Sequence, residues 1–177
     1  QEEMDTVVAR VKGTTNIEDL RDVDFIIEAA AEDMEAKKTL FGKLDEMLGE
    51  DVIFATNTSS LSITEIASAT NRPGKVIGMH FFNPVPMMKL VEVISGVATD
   101  EETEKRVTDL AVELGKTPVH VEEAPGFVVN RVLIPMINEA IGILADSVAS
   151  AEDIDNAMKL GANHPMGPLD LGDLIGL

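Results

Sequence analysis

The chain has 177 residues, of which 45% are hydrophobic and 26% charged, with a formal net charge of −18 and no cysteine, tryptophan or tyrosine. That is enough apolar material for one ordinary domain, or for a domain and a small helical partner. The acidity argues against nucleic acid and anionic membranes as partners, no apolar run reaches the roughly 18 residues of a membrane span, and the missing thiols remove disulfides, thiolate nucleophiles and cysteine-type zinc sites together.

Three histidines without cysteine do not suggest a dedicated metal site. Any anionic ligand has to be held locally, by helix N-termini and a few lysines. The chain opens on Gln1 without a basic-then-apolar leader. A cytoplasmic location is therefore expected, with a native start upstream of Gln1.

In chain order, residues 1–12 read as the end of a helix, and KGTT (12–15) as loop or strand. DFIIEAA (24–30) is an apolar run of strand length. The segment 31–48 carries apolar residues near helical spacing and is expected to stop at Gly49. VIFAT (52–56) is a second strand. Ser62 begins a short helix with Glu65 three residues on, the spacing of a capping box. VIGMHF (76–81) and KLVEVIS (89–95) are further strands. A polar amphipathic helix is predicted over 100–114, closed by Gly115, and TPVHVE (117–122) is a fifth strand. Strands alternating with helices point to an α/β fold with a mostly parallel sheet.

The character changes at Ala124-Pro125-Gly126. From Phe127 to about Ser150 the pattern predicts one long apolar helix containing Pro135. A second helix follows at 151–160 with Gly161 as its cap, then a turn at 163–168 and a third helix. We therefore divide the chain into an α/β part (1–123) and an all-helical part (124–177). The long helix is too apolar for a lone surface element, so it has to pack on other helices or on a second subunit.

Ligands of open parallel sheets bind beyond the carboxyl ends of the strands. After the first strand come Glu32 and Lys37, after the second Asn57-Thr58-Ser59-Ser60, and at the end of the third His80 and then Asn83. If 76–81 and 89–95 pair antiparallel about Pro86, His80 lies opposite Glu92. A carboxylate inside the apolar strand LVEVI needs a partner. The imidazole supplies one, and the bond leaves the second ring nitrogen able to act as a base. A purely structural pair meets the same demands, so the residues alone leave both readings open. His120 reads as a structural or surface residue and His164 as a turn residue.

The motifs TNTSSLSITEIA (56–67), GMHFFNPVPMMKLVEVI (78–94), PGFVVNR (125–131) and AMKLGANHPMGPLDLGDLIGL (157–177) resemble the L-3-hydroxyacyl-CoA dehydrogenase family. The resemblance implies a Rossmann-like NAD domain followed by a helical domain that forms a homodimer. It implies oxidation of the 3-hydroxyl of a short-chain acyl-CoA, with hydride transfer to the dinucleotide. His80 resembles the catalytic base and Glu92 its orienting carboxylate. Ser59 resembles a substrate-oxygen and cofactor contact. Asn130 resembles the polar residue completing the pocket from the helical domain. Glu32, Lys37 and Asn83 resemble cofactor contacts.

No G-x-G-x-x-G is present. Against the family pattern, the first βαβ unit and most of a helical excursion are expected to be missing, leaving an incomplete Rossmann-like sheet, and the last helix is expected to stop short. NAD is the cofactor implied; NADP stays open, because the strand that decides between them belongs to that first unit. Weak dinucleotide binding and an unsatisfied sheet edge at 24–30 are expected in consequence. Two other readings remain: a sugar-acid dehydrogenase of the gulonate type, and a non-catalytic dimerisation module.

Overall fold

The computed structural model describes residues 2–177. The chain falls into two compact units, the first ending at Glu123 and the second running from Ala124 to Leu177. The first contains α1 (Glu2–Val8), β1 (Phe25–Glu28), α2 (Met34–Met47), β2 (Ile53–Thr56), α3 (Ile63–Ala67), β3 (Val76–Phe81), β4 (Leu90–Ser95), α4 (Glu101–Glu113) and β5 (Thr117–Glu122). The second contains α5 (Val129–Ala145), α6 (Ala151–Gly161) and α7 (Pro168–Ile175). Gln1, assigned to the first helix by sequence, lies outside the described residues.

The five strands form one sheet in sequential order. β1, β2 and β3 run parallel, β4 is antiparallel to β3, and β5 is parallel to β4. This is the Rossmann-like, mostly parallel architecture expected, with β1 and β5 at the edges. The strand bounds at 76–81 and 117–122 agree with the sequence to the residue.

The sheet is covered on both faces. On one, Ile53, Ala55, Ile77, Met79, Val91 and Val93 pack with Val107 and Ala111 of α4. On the other, Phe54 meets Phe41 of α2, with ring centroids 5.3 Å apart. Successive strand residues thus serve opposite faces, as the pleat requires. Gly78 lets α3 approach: a Cβ there would lie 2.9 Å from the Ile94 Cβ and 3.0 Å from the Ile63 Cδ1.

One open point is decided and two details differ from the sequence reading. Residues 12–15 form no strand; Thr14 and Asn16 instead bond one another and Asp19, and Asn16 caps a 3-10 turn at Ile17–Leu20. α2 does not end through a left-handed Gly49. Leu48 is extended (φ −97°, ψ 156°), and the guanidinium of Arg72 donates to the carbonyls of Asp45, Leu48 and Gly49. A cation there satisfies the helix end and suits its dipole, so no glycine cap is needed. α6 likewise runs through Gly161, and the left-handed residue is Asn163 (φ 57°).

In the helical unit α7 packs against both α5 and α6. Its N-terminus is capped from a distance. Asp155 of α6 is buried, and its two carboxylate oxygens accept from the amides of Leu169 (2.8 Å) and Asp170 (3.0 Å). Gly167 makes room for it, since a Cβ at 167 would fall 2.2 Å from the Asp155 side chain. Helix α5 is shorter than its pattern predicts, because Phe127 (φ 51°) and Ser147 (φ 57°) turn the chain at either end. Replacing Asp155 by Ala is expected to cost about 1–2 kcal/mol in urea unfolding, with the α7 amides losing hydrogen-exchange protection first. Unchanged α7 protection would refute the capping assignment.

Candidate active site at the carboxyl ends of the strands

Parallel pairing puts Glu28 beside Thr56, and Thr56 beside Gly78, so the carboxyl ends of β1, β2 and β3 lie side by side. Antiparallel pairing of β4 places Glu92 opposite His80, the register expected from the sequence. Both side chains lie on the face that carries Phe54 and Ile63, because 92 and 80 alternate with Val91, Val93 and Met79 on the α4 face.

The pair is buried, with Glu92 at 1% and His80 at 5% exposure. Its Nδ1–Oε2 distance is 2.8 Å. An ionised carboxylate only accepts, so Nδ1 carries the hydrogen and donates it. Nε2 is then the nitrogen with a lone pair, on the opposite side of the ring. The Phe82 ring packs against the imidazole at 4.5 Å between centroids, tilted by 49°.

The loop after β2 is fastened on both sides. The Asn57 amide donates to the Glu28 carbonyl (2.7 Å), and the Asn57 side-chain oxygen accepts from the amide of Phe81 (2.8 Å). The residue following His80 is thereby tied to the loop that bears Ser59. Glu32 Oε1 accepts from the Thr58 hydroxyl (2.6 Å), the Ser59 amide (2.8 Å) and the Ser60 amide (3.2 Å). Burial pushes the Glu32 carboxyl upward, but the Thr58 hydroxyl, the Ser59 amide, the Lys37 ammonium and the Ser60 amide together hold it below its ordinary value.

Lys37 lies behind Glu32, at 1% exposure. Its ammonium bonds both oxygens of Glu28 (2.8 and 2.9 Å) and stands 3.6 Å from Glu32 Oε2. Asn83 is exposed in the loop joining β3 to β4. That loop is pinned by Lys116, whose ammonium donates to the carbonyls of Val85 and Met88.

Asn130 is the second residue of α5, in the helical unit. His120 sits at the surface with its ring nitrogen 3.0 Å from Glu104, and His164 lies in the turn after α6. Among the described residues, no group of three metal-ligating side chains comes together and no helix is long and apolar enough to cross a membrane.

His80, Glu92, Ser59, Glu32 and Lys37 thus belong to one sheet edge. The sequence reading missed Glu28 and Lys116. Glu28 could have been found by the rule that singled out Glu92, since it too is a carboxylate in an apolar strand. Chemically, the edge combines a carboxylate-held imidazole with a loop of hydroxyls and amides. That set can accept a proton and stabilise a developing oxyanion.

The comparisons with known proteins agree with this chemistry. The model of the 3-hydroxyacyl-CoA dehydrogenase NAD binding domain matches residues 1–124, and that of the family's C-terminal domain matches residues 126–177. A 3-hydroxybutyryl-CoA dehydrogenase of Clostridioides difficile is 69% identical over 171 residues, 97% of this chain and 61% of that protein. A probable 3-hydroxybutyryl-CoA dehydrogenase of Bacillus subtilis (strain 168) is 57% identical over 99% of this chain and 61% of that protein. The crystal structure of (S)-3-hydroxybutyryl-CoA dehydrogenase from Ralstonia eutropha superposes with a TM-score of 0.94 at 51% identity, covering 97% of this chain and 60% of that one. The chain spans about 61% of the length of the curated relatives named here.

Because its carboxyl is held below the ordinary value, Glu32 stabilises the fold fully above the ordinary glutamate range and loses that contribution as pH falls through its lowered value. The Glu32→Gln protein is expected to be less stable near neutrality, and the gap to the parent should close as pH falls below the ordinary glutamate range. Urea unfolding at a series of pH values reads this directly. Asp45, lowered despite its burial by bonds from Asn71 and Arg72, is common to both proteins and cancels in the comparison. A gap that stays constant with pH would remove Glu32 from its role.

Proposed function

The chain belongs to the 3-hydroxyacyl-CoA dehydrogenase family, and from that premise we propose that His80 and Glu92 form the proton-transfer centre of a short-chain 3-hydroxyacyl-CoA dehydrogenase. The observation that carries the proposal is the 2.8 Å bond between two buried side chains on adjoining strands. A structural His–Glu pair has no need of a neighbouring loop of oriented amides and hydroxyls.

NAD, named by the matching domain model, supplies the hydride acceptor when bound. The residues present suit its ribose end: Glu32 is an acceptor carboxylate at the crevice edge, with Ser59 and Asn83 on the two neighbouring loops. Lys37 takes part from the protein side, through Glu32. In the oxidative direction, His80 Nε2 takes the proton of the 3-hydroxyl while Glu92 stabilises the imidazolium that forms. In the reductive direction the same nitrogen returns it. Ser59 donates to the substrate oxygen, where charge develops. Asn130 is assigned a part by its motif, PGFVVNR.

The relatives at 69% and 57% identity are described as acting on 3-hydroxybutyryl-CoA, which favours a short acyl chain. A homodimer through the helical unit is supported by the exposed apolar residues Val132, Ile134, Ile141 and Leu144 on α5. The cytoplasm is the compartment that goes with this reading.

The test is oxidation of NADH by acetoacetyl-CoA, using protein expressed from the complete reading frame. His80→Ala is expected to lower kcat by about 10²–10⁴-fold with the fold retained. Glu92→Gln should lower it less, because the amide oxygen still orients Nδ1–H but carries no charge. Wild-type rates in a folded His80→Ala protein would sink the proposal.

A further inference from the structure

Glu28 and Lys37 are buried charged residues at the site edge that the proton transfer does not use. Their side chains are each 1% exposed. Both Glu28 oxygens are engaged. Glu28 Oε1 accepts from Lys37 Nζ (2.8 Å) and the Ala30 amide (2.6 Å), and Glu28 Oε2 accepts from Lys37 Nζ (2.9 Å) and the Thr56 hydroxyl (2.6 Å). A buried ion pair rarely adds stability beyond what apolar residues of the same volume would give, so its place in the molecule asks for another explanation.

That explanation lies in how Glu32 divides its two oxygens. Oε2 faces the Lys37 ammonium at 3.6 Å. Oε1 collects the Thr58 hydroxyl and the amides of Ser59 and Ser60. The carboxylate therefore has one orientation in which both demands are met. Glu28 and Thr56 come from β1 and β2, Lys37 from the first turn of α2, and Ser59 from the loop after β2.

We propose that the buried Glu28–Lys37 pair is a positioning device, setting the Ser59 loop through the orientation of Glu32. Glu28 is thus a positioning residue for the reaction assigned above, on which this inference rests; it touches neither substrate nor cofactor. Glu28 holds the ammonium at a fixed distance from Glu32. Without the Glu28 charge, the ammonium has Glu32 as its only counter-ion in this cluster and draws that carboxylate inward, off the Ser59 and Ser60 amides.

The experiment compares parent and Glu28→Gln proteins by amide hydrogen exchange, thermal unfolding and kinetics with acetoacetyl-CoA and NADH. Exchange at Ser59 and Ser60 should accelerate about tenfold or more while the β3 and β4 amides keep their protection. kcat should fall with KM for acetoacetyl-CoA unchanged. Parental exchange at Ser59 and Ser60 in a folded Glu28→Gln protein overturns the proposal. So does a uniform acceleration across the unit, which marks a structural role only. If Glu28→Gln does not fold, the pair-neutral Glu28→Gln/Lys37→Met and the milder Thr56→Val answer by the same exchange readout. A parent without dehydrogenase turnover refutes the functional reading but leaves the exchange result to decide the positioning.

Discussion

A carboxylate that water does not reach has to be met by a donor, and Glu92 is such a carboxylate in the middle of a strand. The antiparallel register about Pro86 meets it with His80. A slip of one residue would rotate Glu92 onto the face packed by α4, among Val107 and Ala111 and away from the imidazole. The penalty for that slip makes the pair a register lock as well as a chemical centre. Much of the first unit serves this lock: Lys116 pins the connecting loop, the Thr117 amide bonds the Lys89 carbonyl at 2.7 Å, and β5 backs β4 along its whole length.

Reversing β4 also decides where the polar groups collect. Parallel strands deliver their carboxyl ends to one edge, and the antiparallel turn at 82–89 keeps the chain at that edge before it descends. The amino end of β4 therefore faces the same crevice as the loop after β2. Asn57 closes the arrangement by bonding the Phe81 amide. The imidazole and the Ser59 loop are thus held in one frame by the strand ladder and by the Asn57 side chain.

Much of this was legible from residue order. The strands of the first unit, the His80–Glu92 register and the break near 123 follow from apolar periodicity and from one rule about buried charge. The helix ends were less legible, for a physical reason. Gly49 and Gly161 stand where glycine caps are common, but the orphan carbonyls of α2 are taken by Arg72, 23 to 27 positions away in sequence. The N-terminus of α7 is capped by Asp155 from another helix. Local patterns cannot report a partner supplied by the tertiary fold. Lys37 shows the same limit: its motif suggested a cofactor contact, but nothing local announced that packing draws it inside against Glu28.

Two buried carboxylates therefore stand at one edge with different partners, and the partners decide what each can do. An imidazole can take up and release a proton, so in the proposed reaction the carboxylate opposite it steadies a charge that comes and goes. The Lys37 ammonium is bonded by both oxygens of Glu28 and faces Glu32, so Glu28 governs a structural contact. Removing either member of such a pair strands the other without compensation, which is why both pairs are rigid. A site that must move a proton while holding a serine loop still needs one pair of each kind. The sheet supplies them two strands apart, on β1 and β3, with the Ser59 loop of β2 between them.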